Sequence, residues 1–295
     1  MHTYHYDLVY ICEFTACVVF RFTLIITVIY EMEPLAEYLA VCEKAIRVGG
    51  DIILVWADKF EVRKKGPADL VTQADLESQQ AISRIIWGAF PRHRIIGEED
   101  AGVSVDVNSS LQGSEYRWIV DPLDGTTNFV HGVPHYAVSL ALERNGELLV
   151  AGVLDPIQNE CFTAAAGQGA RLNGRPMRTS SVTALSEALA VVGFPPDVKA
   201  DSPDLLVFLR AIFHCQAVRR SGSTALNLAY LAAGRYDVFW NFSANIWDVA
   251  AGILLVREAG GAICTPEGQE YSLDQRPFLS AANPALLGQL QRIVT

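Results

Sequence analysis

The chain has 295 residues, 51% hydrophobic and 19% charged, a composition that excludes collagen, coiled coil, disorder and a small disulfide-stapled scaffold. A chain of this length buries about 75% of its unfolded surface, enough for a full hydrophobic core. The net charge, 23 − 33 = −10, argues against a nucleic-acid or anionic-membrane partner, although acids that collect metal ions can still hold an anionic substrate.

Residues 8–30 (LVYICEFTACVVFRFTLIITVIY) are apolar and long enough to cross a bilayer, but Glu13 and Arg21 inside the run are costly there. No basic segment precedes the run and no small-residue cleavage site follows it, which disfavours a secretory signal. The expectation is an apolar extension over residues 1–31 with no assigned role, Met32 being the working start of one domain over 32–295. Membrane contact is expected only if residues 8–30 provide it.

Glu33 to Lys59 reads as an amphipathic helix with Leu35, Leu39, Cys42, Ile46 and Ile53 on one stripe, and Gly49-Gly50 marks close packing. Lys64-Lys65-Gly66-Pro67 reads as a loop, and a second helix follows Asp75 and ends before Pro91. Tyr116 to Val120 is a predicted strand. Ala137 to Arg144 and Leu148 to Leu154 form a hairpin about Asn145-Gly146, and Cys161 to Ala166 continues that sheet. Beyond Leu189 come a strand, helices over 203–214 and 223–233, a strand over 236–241, a helix over 248–259 and a strand over 261–265. This order predicts an α+β fold with two sheets in one compact unit. The six cysteines contain no C-x-x-C pair, the pattern of buried thiols in a reduced compartment, so a cytoplasmic protein is expected.

Four acidic clusters stand at element edges: Asp69 to Asp75, Gly97 to Asp100, Asp121 to Thr127 (DPLDGTT) and Trp247-Asp248. Asp121 and Asp124 fall on one side of a bend, where two carboxylates repel each other unless cations lie between them. Gly125, Thr126 and Thr127 then offer N–H groups to an anion, so hard oxygen ligands adjoin an anion pocket, as Mg²⁺ requires to hold a phosphate. Taken singly, each cluster has an ordinary reading: a surface turn for Asp121 and Asp124, a solvated acid for Glu98, helix caps for Asp75 and Asp248, a capping turn for Ser221 to Thr224.

Together, VTQAD (71–75), GEE (97–99), WIVDPLDGTTNFVHGVPHYAVSLAL (118–142), RSGSTALNLAY (220–230) and WDVAAG (247–252) resemble the inositol monophosphatase family, in order and from about Met32 to the C-terminus. Thr126-Thr127 is of the inositol type, not that of the related bisphosphate phosphatases. The resemblance implies a five-layered α-β-α-β-α sandwich, usually a homodimer, that hydrolyses a small polyol or sugar phosphate monoester with two or three Mg²⁺ and is inhibited by lithium. It assigns Glu98, Asp121 and the Leu123 carbonyl to one Mg²⁺. Asp121, Asp124 and Asp248 fall on a second, and Glu98 shares a weaker third through water. It makes Thr126, oriented by Asp75, the group that positions the attacking water, and gives Asp75, Glu98 and Thr126 the catalytic roles. Asp124, Gly125, Thr126, Gly222, Ser223, Thr224, Asn241 and Asp248 are the expected substrate contacts. His131 and His135 are expected to be structural, and Lys64 and Lys65 occupy the place of a loop that closes over the metals.

One departure bears on substrate: the family commonly carries Glu seven residues before the WD aspartate, where this chain has Asn241. An inositol-1-phosphate type of substrate leads, with histidinol phosphate and fructose 1,6-bisphosphate as alternatives on the same scaffold. A regulatory interaction protein in a transcription complex is the alternative from another class.

Overall fold

The stripe read in the first helix forms: α1 (Leu35–Trp56) buries Cys42, Ala45, Ile46 and Ile53. A Cβ on Gly49 would lie 2.8 Å from Ser78 Oγ, and one on Gly50 would lie 2.5 Å from Leu154 Cδ2, so the glycine pair lets the helix backbone approach its neighbours. The computed structural model describes residues 34–57, 59, 62–64, 70–100, 114–195 and 197–294. The apolar N-terminal run and the side chains of Lys64 and Lys65 lie outside them.

The remaining elements, in chain order, are β1 (Val62–Lys64), β2 (Leu70–Thr72), α2 (Gln73–Ala89), β3 (Arg94–Gly97), β4 (Tyr116–Asp124), α3 (Thr126–Val130), β5 (Ala137–Arg144), β6 (Glu147–Asp155) and β7 (Glu160–Ala165). They continue with β8 (Ala170–Leu172), β9 (Arg175–Pro176), β10 (Leu189–Val192), α4 (Pro203–Ala211), β11 (Ala217–Arg219), α5 (Thr224–Ala232), β12 (Val238–Asn241), α6 (Ile246–Glu258), β13 (Ala262–Cys264), β14 (Phe278–Ala281) and α7 (Pro284–Val294).

Strands β3 to β9 form a seven-stranded sheet in sequence order, antiparallel except for the parallel pair β3–β4. The hairpin between β5 and β6 turns on Asn145 (φ 52) and Gly146 (φ 90), the left-handed pair that a two-residue turn demands. A five-stranded sheet, order β11-β10-β12-β14-β13, is parallel across its first three strands and antiparallel beyond.

Five layers result. Helices α1 and α2 cover one face of the large sheet with a core around Ile46, Ile82, Trp118 and Leu140. Helices α5 and α6 fill the middle, packed on both sheets through Leu226, Leu228, Ile253 and Phe239. Helices α4 and α7 close the outer face of the small sheet around Val207, Trp240, Leu286 and Leu290. This is the α-β-α-β-α sandwich, and each helix layer exists because a sheet face needs covering.

The boundaries differ from the sequence reading in informative places. Helix α2 begins at Gln73, so Asp75 lies inside its first turn, and α6 begins at Ile246 with Asn245 as its N-cap, not Asp248. Strand β4 continues past Val120 to Asp124. Periodicity places no element after Thr265, yet β14 and α7 complete the small sheet and its cover. Asn283 accepts the Leu286 N–H at 3.0 Å ahead of Pro284, a helix-start signal that was present in the sequence. Of the described cysteines, Cys42, Cys161 and Cys264 are buried and Cys215 is half-buried, all as free thiols. Among the described residues no helix is long and apolar enough to cross a membrane.

Candidate active site

Side chains alternate faces along a strand, so residues three apart point in opposite directions unless the register breaks. Strand β4 pairs regularly with β5 from Tyr116 to Asp121, then shifts, resuming with Asp124 opposite Ala137. The irregularity turns Asp124 toward Asp121, and both meet Asp248 from the first turn of α6. One carboxylate oxygen from each of Asp121, Asp124 and Asp248 lies within 4.8 Å of the other two.

Each of these acids is held. Asp121, 1% exposed, accepts the Leu123 N–H at 3.0 Å. One oxygen of Asp124 accepts the Ser223 hydroxyl and the Ala225 N–H, the latter at 2.6 Å, which fastens β4 to the start of α5. Asp248 accepts the Asn245 N–H at 2.8 Å. Burial pushes the Asp121 carboxyl well above the usual carboxylate range, and Glu98, Asp124 and Asp248 push it further. Burial likewise raises Asp248, with Asp124 and Glu98 adding to the effect, and takes Asp124 up to about 6 against the hydrogen bonds from Ser223 and Ala225. Three carboxylates this close, Asp121 and Asp124 buried and Asp248 half-buried, oppose one another's ionisation unless cations lie between them.

Glu98 opens a short 3-10 turn after β3 and is half-buried. It stands outside the tight trio but close enough to act on both Asp121 and Asp248. Gln79 of α2 accepts the Glu99 N–H at 3.2 Å, and a Cβ on Gly97 would lie 2.2 Å from its Oε1, so a side chain there would have to push the Gln79 amide aside.

A second group surrounds Thr126. Its hydroxyl is 3.2 Å from Asp75 Oδ1 and 3.1 Å from the Leu123 carbonyl, so its one proton serves either acceptor. Asp75, fully buried, spends Oδ2 on the Thr72 N–H and hydroxyl at 2.8 and 2.5 Å. Gly125 precedes Thr126 with φ +99, and a Cβ there would lie 3.1 Å from the His135 carbonyl. Gly222 has φ +95 and packs on Asn128. Thr224 follows Ser223, the N-cap of α5.

Asn241 ends β12, 5% exposed. Its Oδ1 accepts from the Ser243 N–H at 2.9 Å and hydroxyl at 3.3 Å, and its Nδ2 lies 3.5 Å from Thr224 Oγ1. His131 is exposed just after α3. His135 packs edge-on against Tyr230 at 5.8 Å, and burial lowers its imidazole pKa, which keeps it neutral.

The trio of Asp121, Asp124 and Asp248 is joined to Ser223 by the hydroxyl that donates to Asp124, while Thr126 meets Asp75 and Thr224 meets Asn241, and further polar residues to which the motifs gave no role hold these segments. Thr72, Ser78, Gln79, Asn128 and Asn227 orient the acids or their loops. Thr72, Asn128 and Asn227 lie inside the motifs quoted above, which give them no role, whereas Ser78 and Gln79 are helix positions whose sequence carries no mark of the distant loop they hold.

A donor set of three carboxylates, without Cys or His, suits a hard divalent cation such as Mg²⁺. Residues 34–295 match the model of the inositol monophosphatase family. The chain belongs to that family. It is 42% identical over 250 residues to the Nus factor SuhB of Pseudomonas aeruginosa, covering 83% of this chain and 90% of that protein. It is 44% identical over 212 residues to the inositol-1-monophosphatase of Rhizobium meliloti, covering 71% and 77%. Among solved structures, the extragenic suppressor protein suhB of Bartonella henselae superposes with a TM-score of 0.81 at 35% identity, covering 88% of this chain and 98% of that one. The inositol monophosphatase of Anabaena does so at 0.77 and 33%, covering 88% and 96%. The inositol monophosphatase family is metal-dependent, and the acid trio is where this member concentrates hard ligands.

Proposed function

We propose that this protein is a Mg²⁺-dependent phosphatase that hydrolyses a small polyol or sugar phosphate monoester, of the inositol 1-phosphate type. The observation that carries the reading is the convergence of Asp121, Asp124 and Asp248 within 4.8 Å in a buried site where all three carboxyls resist ionisation. In this reading Glu98, Asp121 and the Leu123 carbonyl hold one ion, Asp121, Asp124 and Asp248 a second, and Glu98 reaches a third through water. Bound there, such ions supply an activated water and neutralise charge on the attacked and leaving oxygens of an in-line displacement.

The protein's own groups do the rest. Thr126 donates its hydroxyl hydrogen bond to Asp75 and accepts one from the attacking water, so that Asp75, held by the Thr72 N–H and hydroxyl, orients the hydroxyl that positions the water. The amides of Gly125 and Thr126 hold phosphate oxygens and compensate charge that spreads over them in the transition state. Gly222, Ser223, Thr224 and Asn241 line the side where the alcohol portion of the substrate rests, and Asp124 and Asp248 touch its hydroxyls. The working unit is a homodimer in the cytoplasm.

The test is phosphate release from a panel containing inositol 1-phosphate, histidinol phosphate and fructose 1,6-bisphosphate, with and without Mg²⁺. Inositol 1-phosphate is expected to turn over fastest and only with the metal. No Mg²⁺-dependent release from any ester would overturn the reading. A relative named as a Nus factor, 42% identical, supports a second reading as a partner in transcription complexes. That role predicts co-purification with such a complex, undiminished by Asp121→Asn.

A further inference from the structure

We infer that Asn128 is a positioning residue that sets the phosphate-holding turn against the start of α5, an inference that rests on the phosphatase reading above. The residue lies in α3, two positions after Thr126. One amide nitrogen, Asn128 Nδ2, donates to two carbonyls from different segments: His135 at 2.7 Å and Ser221 at 2.8 Å. Its backbone carbonyl accepts the Val133 N–H at 2.8 Å. The two acceptors identify which end of the amide is nitrogen.

What the two carbonyls belong to gives the contact its importance. His135 adjoins Tyr136, and both back directly onto Gly125, where a Cβ would lie 3.1 to 3.3 Å from their atoms. Ser221 leads into Ser223, whose hydroxyl grips Asp124. Ser221 is held a second time, its hydroxyl donating to the buried Asn227. Gly222 between them packs so closely that a Cβ would lie 2.8 Å from Asn128 Nδ2. Asn128 thus ties the Gly125–Thr126 turn to the Ser221–Ser223 loop from behind, while Asp124 ties the same two segments from the front.

A primary amide nitrogen carries two protons for two acceptors, a task that no other side chain of this size performs. Aspartate has the same shape but would point a carboxylate at two carbonyl oxygens. Asp121 and Asp248 are held by Leu123 and Asn245, whereas Asp124 is held through Ser223 and Ala225 at the end of the loop that Asn128 braces. Loss of the Asn128 amide should therefore displace the phosphate-holding turn first and reach the cation site only indirectly, through Ser223 and Asp124.

The experiment compares the full chain with Asn128→Ala, Asn128→Asp and Gly222→Ala, the last of which crowds the amide while leaving it in the sequence. Mg²⁺ affinity, inorganic phosphate affinity at saturating Mg²⁺, melting temperature and kcat and KM are measured for each. We expect phosphate affinity and kcat to fall roughly ten-fold or more, Mg²⁺ affinity to fall by clearly less than phosphate affinity, and Asn128→Asp to be at least as impaired as Asn128→Ala. Unchanged phosphate affinity in folded Asn128→Ala would overturn the inference, as would a parallel loss of Mg²⁺ and phosphate binding. Failure of all three variants to fold would make the contact a folding element and overturn it too. A wild-type chain that binds no phosphate in the presence of Mg²⁺ would instead overturn the phosphatase reading.

Discussion

Asp75 and Asp248 occupy equivalent positions in two unrelated helices. Each is the third residue of its helix, and each turns one carboxylate oxygen back to the backbone N–H of the residue that caps it, Thr72 or Asn245, at 2.8 Å in both cases. A capping interaction of this kind satisfies an N–H that the helix leaves unpaired and places a negative charge at the positive end of the helix dipole. It also fixes the direction of the second oxygen, which for Asp75 meets the Thr126 hydroxyl. The ordinary role as a helix-start acid and the site role are thus performed by opposite edges of one carboxylate.

Replacing Asp121 should separate the chemistry from the fold. Asp121→Asn removes a buried charge that Glu98, Asp124 and Asp248 all oppose, so the metal-free variant should melt at or above the wild-type temperature. Activity should fall to a few per cent or less at saturating Mg²⁺. Mg²⁺ should raise the melting temperature of the wild type and not that of the variant. Substantial turnover by the folded variant would show that Asp121 does not bridge the ions. Inhibition by lithium belongs to the same reading and is checked in the same assay.

Ser223 joins two tasks that a substitution can separate. Its hydroxyl caps α5 by accepting the Leu226 N–H at 3.2 Å and donates to Asp124. Ser223→Ala should cost about 1 kcal/mol of stability through the cap. It should also weaken Mg²⁺ binding, measured by calorimetry, because Asp124 loses a fixed donor. Ser223→Thr should restore both, and full Mg²⁺ affinity in Ser223→Ala would show that Ala225 N–H alone orients Asp124.

Asp204 gives a pH signature away from the metals. It is 2% exposed, accepts the Phe242 N–H at 2.9 Å, and burial pushes its carboxyl up to about 6. The unfolded value is near 4, so its contribution to stability is complete below about pH 4 and is lost as the pH rises through about 6. Asp204→Asn keeps an acceptor without the charge. The variant should gain on the wild type by on the order of 2 kcal/mol between pH 4 and 7.5, read from denaturant melts. A constant difference across that range would mean that folding does not raise the Asp204 carboxyl above its unfolded value.

Asn241→Glu tests substrate choice. Asparagine keeps an acceptor, adds a donor and removes the charge that a family glutamate presents to a sugar hydroxyl. Restoring the charge should swing the ratio of kcat/KM toward inositol 1-phosphate over fructose 1,6-bisphosphate by roughly ten-fold, or about 1–2 kcal/mol. Because Asn241 Oδ1 is engaged by Ser243, an unchanged ratio would assign this residue to the loop and not to the substrate.

A chain beginning at Met32 should remain soluble and fully active. Helix α1 starts at Leu35, the family match starts at residue 34, and no catalytic motif lies upstream. Insolubility or lost turnover on this truncation would show that the apolar segment packs into the domain, and carbonate-resistant membrane retention of the full chain would support an anchor.

Much of this molecule was legible in the order of its residues, because the signals are local. The Asn145-Gly146 turn, the stripe of α1 and the close approach at Gly49-Gly50 follow from backbone preference and periodicity, while Asp121, Asp124 and Asp248 are singled out together only by the family resemblance of their motifs. Packing supplied what spacing could not. Asp121 and Asp124 share a site because the register of β4 breaks between them, and that break exists only against β5. Asp248 arrives from a helix more than a hundred residues later, and Asn128 acquires its role from Ser221, 93 residues away. The rise of the carboxyl pKa values has the same origin. Desolvation and like-charge repulsion depend on which groups are brought together out of water, and for these acids that is a property of the folded layers, not of their neighbours in the chain.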